Sequence, residues 1–269
     1  MWSTRPLQGE VADVALSTGS GAVLAVAYKA GGLEFFNMEG ERLGEPTRFQ
    51  LKALADGRAA LIDGAQLTLF PGVTADGQLK AYVFSDGLMA PAQVDLPIPE
   101  ERMVEGICTG DAGTQGLMRI AYWTFSSNRL LRTGILGETG GELTWQEEDS
   151  TDAGFPVTSC VFAYDTLVAS PRSIAAASLA RGGTTALLSV EAGGPLQISG
   201  DLGMTTADIT LLDGITVTAP DSPTAVTANG ALPAGGYPGG VIVVAGETSA
   251  GTHQVVFVDP SAITMNGGP

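Results

Sequence analysis

Histidine is almost absent from this 269-residue chain: His253 is the only one, and Cys108 and Cys160 are the only cysteines. A zinc centre built from His and Cys is therefore excluded. A Ser-His-Asp triad would rest entirely on His253, which falls in the Thr248–Gln254 turn, and no Gly-x-Ser-x-Gly elbow occurs. Walker-type loops, dinucleotide fingerprints and His-Glu-x-x-His motifs are also missing. Basic residues are scarce: 13 Lys and Arg face 29 Asp and Glu, for a net charge of −16, and Lys29, Lys52 and Lys80 are the only lysines. Such a surface repels nucleic acid and anionic lipid and attracts cations, so no nucleic-acid partner is expected. No apolar run approaches the roughly 18 residues of a membrane span. Met1-Trp2-Ser3-Thr4-Arg5 leads straight into polar sequence without a signal-peptide pattern. Long stretches of helical periodicity are lacking too.

What fills the chain instead is turn and strand. There are 37 glycines and 15 prolines, with 44% hydrophobic residues and only 16% charged. Short apolar or alternating runs recur between turn residues, among them 22–28, 33–36, 58–62, 66–70, 79–84, 119–124, 167–170, 241–245 and 254–258. An opening strand returns at 12–17, 51–55, 104–109, 157–163 and 208–218, a spacing of about 40 to 55 residues that matches a four-stranded propeller blade. The expected fold class is therefore all-β: a β-propeller of five or six four-stranded blades, forming a single domain over residues 1–269. Residues 219–236, rich in Pro, Thr, Ala and Gly, read as a long rim loop without structure of its own. Cys108 and Cys160 lie in similar apolar strands and read as two buried thiols, with a disulfide as the alternative in an oxidising compartment. Trp123, Trp145, Tyr122, Phe125 and Phe155 read as packing between blades.

Several segments resemble one family. Lys29-Ala30-Gly31-Gly32 runs into the aromatic strand Leu33–Asn37 and a Glu39-Gly40 turn. Val104–Cys108 and Val157–Ser170 look like later opening strands, and Asp213-Gly214-Ile215 with Tyr237–Glu247 looks like a closing blade. Together these are similar to the β-propeller phytases. That resemblance implies six blades, a central acidic cleft holding calcium, and phosphomonoester cleavage in which cations screen an anionic substrate from the protein's carboxylates. It places Lys29 as a phosphate-binding lysine, Asp213 in an Asp-Gly-Ile motif and Asp13 at an opening acidic motif whose consecutive aspartates are absent here. Other positions depart from the pattern. Ser159 stands where a ligand glutamate belongs, Pro171-Arg172-Ser173 replaces an acidic segment, Glu105 replaces an aromatic, and Ile62-Asp63-Gly64 replaces an asparagine–arginine element.

Because calcium affinity follows ligand charge, these losses favour a phytase-like propeller without catalysis, a binding or scaffold module of an exported bacterial protein, periplasmic or secreted. The alternative is a divergent calcium-dependent phosphohydrolase. The candidate cation- and phosphate-binding residues are Asp13, Lys29, Glu105 and Asp213, the last near Asp201 and Asp208. Calcium is the cofactor to test, and the partner classes are a protein or an anionic small molecule. Glu147-Glu148-Asp149 with Asp152, the densest acidic run, reads as a solvated loop, because successive residues of an extended chain point to opposite sides.

Overall fold

The computed structural model describes residues 2–18, 22–85, 88, 90–99, 103–181, 183–200, 205–214 and 216–263. Asp201 and Ile215 lie outside them. The chain is all-β, with two 3-10 turns at Pro233–Gly235 and Pro260–Ala262, and no helix long and apolar enough to cross a membrane among the described residues.

After a short opening strand β1 (Trp2–Ser3), the first blade comprises β2 (Val11–Thr18), β3 (Leu24–Tyr28), β4 (Leu33–Phe36) and β5 (Arg42–Leu43). In the second blade the inner strand is broken in two, β6 (Leu51–Leu54) and β7 (Gly57–Ile62), both paired to β8 (Ala65–Thr74). Outward from β8 follow β9 (Leu79–Phe84) and β10 (Ala92–Asp95). The third blade is β11 (Val104–Gly110), β12 (Met118–Thr124) and a long hairpin of β13 (Ser127–Thr139) and β14 (Glu142–Asp152). The fourth stops at two strands, β15 (Ser159–Ala163) and β16 (Thr166–Ser170). The fifth is β17 (Ser173–Arg181), β18 (Thr184–Glu191), β19 (Leu196–Gly200) and β20 (Thr205–Ile209). The sixth is β21 (Ser222–Asn229), β22 (Val241–Glu247) and β23 (His253–Val258), with β1 as its outermost strand.

The inner strands form a closed ring: β2 lies against β6 and β7, β6 against β11, β11 against β15, β15 against β17, β17 against β21, and β21 against β2. The expected choice of five or six blades is thus settled at six, one of them a hairpin. Two sequence expectations are corrected. Residues 219–236 are not a structureless loop, since β21 is the sixth blade's inner strand, with Ala225 and Val226 buried. Residues 208–218 are not an opening strand either, because β20 ends at Ile209 on the outer side of blade five.

A single blade has two apolar faces, so the core is divided among the seams between blades. Val14, Leu16, Val243 and Phe257 pack between blades one and six. Phe35, Phe70, Tyr82 and Phe84 fill the seam of blades one and two, where the Phe35 ring lies 5.4 Å from both Phe70 and Phe84. Val104, Ile120 and Leu136 join blades two and three, and Leu188, Ile198, Val244 and Val256 join five and six. Blade four is tied to blade three by Trp123, Leu131 and Phe162 around a disulfide between Cys108 and Cys160, whose Cα atoms are 5.8 Å apart. The reading of two free thiols is corrected: β11 and β15 are neighbouring inner strands, close enough for the sulfurs to bond. Hydroxyls close the next seam. Ser159 Oγ is 2.7 Å from Ser173 Oγ, Thr158 Oγ1 donates to the Ser173 carbonyl, and Ser178 Oγ donates to that of Phe162.

Candidate functional site

Inner strands converge on the axis, and here five of the six carry the same local device. Near its start each holds one extra residue against its partner strand: Ala12 in β2, Lys52 in β6, Glu105 in β11, Ile174 in β17 and Thr224 in β21. Such a bulge bends the strand and re-aims a side chain. Ala12, Lys52, Glu105 and Ile174 accordingly line an axial cavity of about 150 Å³, together with Asp13, Asp56 and Thr227.

The polar groups of this channel bind one another and the backbone. Asp13 accepts from the Val14 N–H through Oδ1 and from the Leu54 N–H of blade two through Oδ2, at 2.9 Å each. Asp56, in the break between β6 and β7, accepts from the Leu16 N–H of blade one and from Thr227 Oγ1 of blade six. Its carbonyl takes a 2.6 Å bond from Thr109 Oγ1 of blade three. Lys52 Nζ stands 2.8 Å from Glu105 Oε1. Removal from bulk water outweighs the N–H donors at both aspartates, raising Asp13 to about 7, with the neighbouring Asp56 charge adding to the rise, and Asp56 to about 6.

Of the four residues singled out in the sequence, the structure brings Asp13 and Glu105 to the same cavity. Lys29 lies in the β3–β4 turn, paired through Nζ with Glu10. Asp213 is exposed between β20 and β21, where Oδ1 accepts from the Ala219 N–H. Asp56 and Lys52 were missed. The Asp56-Gly57 pair between two apolar runs was the available signal. The donor set does not fit calcium. Asp13 and Asp56 already accept backbone or hydroxyl donors, Glu105 faces an ammonium, and among the described residues no three His, Cys, Asp or Glu side chains gather to hold a metal.

A second concavity lies between blades three and four. Because blade four ends at β16, the face of the β13–β14 hairpin has no outer strands opposite it, and a groove of about 540 Å³ opens there. Its walls are Leu131, Thr133 and Thr151 on one side and Leu167 and Ala169 on the other, with Phe155 beside them. Arg119 is held by Glu148, Nε to Oε2 at 2.9 Å, with Asp165 3.6 Å from its Nη1. The acidic run expected as a solvated loop belongs to strand β14. Thr133 pairs with Asp149 and Gly134 with Glu147, which leaves Glu148 as a bulge. That extra residue is why two consecutive carboxylates, Glu148 and Asp149, line one groove instead of pointing to opposite sides.

No family model and no curated protein matches the chain. Among solved structures, a mutant of AofleA from Arthrobotrys oligospora is similar at 8% identity, over 94% of this chain and 88% of that one, with a TM-score of 0.58. The fungal lectin from Aleuria aurantia, described as a six-bladed β-propeller with a novel fucose recognition mode, is similar at 11% identity, over 94% and 93%, with a TM-score of 0.54. Its mercury-derivative structure, described as a fucose-specific lectin, is similar at 11% identity, over 97% and 99%, with a TM-score of 0.52. At these identities the likeness establishes the fold, a six-bladed β-propeller, and no phytase stands among these neighbours.

Proposed function

We propose that this chain is a non-catalytic binding module, a rigid propeller of an exported protein that presents a ligand groove beside its shortened blade. The observation that carries this reading is the fate of the channel's charged groups. Asp13, Asp56, Glu105 and Lys52 are engaged in joining blades, which leaves no converging set of carboxylates among the described residues to position a cation or activate water. The groove between blades three and four, by contrast, is of ligand size and mixes apolar walls with a few fixed polar groups. Fold neighbours described as fucose-binding lectins support recognition over hydrolysis as the use of such a scaffold. The Cys108–Cys160 disulfide supports an oxidising compartment, periplasmic or secreted.

The test is thermal unfolding in EDTA and in millimolar Ca²⁺, with phosphate release from phytate followed in the same buffers. The expected result is an unchanged melting temperature and no release. A calcium-dependent rise of several degrees accompanied by release would replace this reading with the divergent phosphohydrolase, since a cation bound only to the folded state stabilises it by mass action.

A further inference from the structure

We propose that the groove between blades three and four receives an extended, basic peptide segment of a partner protein, which pairs with β16 as the third strand of blade four. This deepens the binding-module reading and rests on it.

Three observations support the occupant. The first is the backbone. Among the described residues β16 pairs with β15 alone, so its outer row of amides and carbonyls faces the space that two further strands fill in every other blade. An exposed strand edge is a template for strand addition, in which main-chain bonds supply affinity and alternate side chains supply specificity. Thr166–Ser170 offers five residues, about 17 Å of edge.

The second is the shape and polarity beside that edge. Leu167 and Ala169 project from β16 into the groove and face Leu131 across it, so a strand lying there could bury every second side chain. The groove's volume of about 540 Å³ lies within the range of peptide- and ligand-sized sites.

The third is charge. Glu148, Asp149 and Asp165 line the groove against Arg119 alone, and Arg119 is already paired with Glu148. Asp165 stands 3.6 Å from Arg119 Nη1 yet keeps 94% of its side chain in solvent, so an incoming cation can reach it as well. Two carboxylates in excess select lysine or arginine in the guest. They also disfavour a second copy of this chain, whose own net charge is −16.

The experiment selects from a displayed library of random dodecapeptides on the intact, oxidised protein. Enriched peptides are expected to alternate apolar residues, carry net positive charge, bind at least tenfold more weakly to an Ala169→Trp variant that plugs the groove, and weaken as salt is raised. Their binding should slow hydrogen exchange of the Thr166–Ser170 amides, which side-chain contacts elsewhere would leave untouched. Should the plug disturb the neighbouring disulfide, the Asp149→Lys/Asp165→Lys variant, altered only at exposed side chains, should lose the basic peptides and enrich acidic ones. The proposal is overturned by a selection that enriches nothing, by peptides indifferent to both variants, or by binding without amide protection at β16. A groove that takes fucose and no peptide, with no calcium response, would end the strand-addition proposal and leave the binding module standing. Phosphate release with a calcium-dependent melting shift would end both.

Discussion

Asp13 accepts one bond from its own strand and one from blade two, and Asp56 accepts bonds from blades one and six, yet each is costly to ionise where it stands. Burial lifts Asp13 to about 7 and Asp56 to about 6, while an unfolded chain titrates aspartate near 3.9. A carboxyl that holds its proton more tightly when folded stabilises the fold at low pH and loses that contribution as pH rises through the folded value. Stability from these two groups should therefore decline from about pH 4 to pH 7, and the melting temperature should be several degrees higher at pH 5 than at pH 7.5. The carboxylates held low, Glu10 by the Lys29 ammonium, Asp111 by Arg58 and Asp259 by the Ser261 N–H, act in the opposite direction but only at more acid pH. An Asp13→Asn variant should flatten much of the slope. It should also cost about 1–3 kcal/mol, because the amide NH₂ cannot accept from the Leu54 N–H that Asp13 Oδ2 now satisfies. Differential scanning calorimetry across this window decides the matter, and a melting temperature that rises from pH 5 to 7.5 would show that the aspartates are ionised throughout.

Blade four is the element least able to stand alone, since a two-stranded hairpin is marginal in water without further packing. The disulfide closes a separation of 52 residues, for which loop-closure entropy gives about 4 kcal/mol as an upper expectation. Urea unfolding of the oxidised protein against a Cys108→Ser/Cys160→Ser variant should show a clear fall in midpoint, with β15 and β16 gaining hydrogen exchange before the other blades. Superimposable curves would mean that Trp123, Leu131 and Phe162 hold the hairpin without covalent help. The same element marks where the sequence was legible and where it was not. Strands with bulky alternating residues, such as Leu33–Phe36 and Leu79–Phe84, stood out at their actual limits. β17 (Ser-Ile-Ala-Ala-Ala-Ser-Leu-Ala-Arg) and β21 (Ser-Pro-Thr-Ala-Val-Thr-Ala-Asn) did not, because strands crowded around an axis use small side chains, and that composition imitates a loop. Asp13 and Glu105, read in the sequence as candidate cation- and phosphate-binding residues, line the axial cavity. The groove was hidden because it arises from missing strands. Its trace was the short step from β15 to β17, bridged by Pro171-Arg172, against spacings near 40 to 55 elsewhere.

At the scale of the whole molecule, the ring is fastened where the two ends of the chain meet. Trp2 and Ser3 pair with Phe257 and Val256, so the first strand is the outer edge of the last blade. Beyond it the Thr4 N–H donates to the Val255 carbonyl, the Val255 N–H donates to Thr4 Oγ1, and the Leu7 N–H donates to the His253 carbonyl. Leu7 also packs on the seam of blades one and six. These contacts join segments about 250 residues apart in the chain, and they hold together a ring whose other seams are local. Deleting residues 1–7 removes them and uncovers the edge of β23, whose Val255, Val256 and Phe257 are fully buried apolar residues. The truncated protein is expected to melt several degrees lower and to self-associate through the freed edge, whereas substitutions confined to the exposed rim of β14 should do neither. Calorimetry together with size-exclusion chromatography reads both effects. A truncation that leaves both the elution volume and the melting temperature unchanged would show that the β21–β2 contact alone closes the ring.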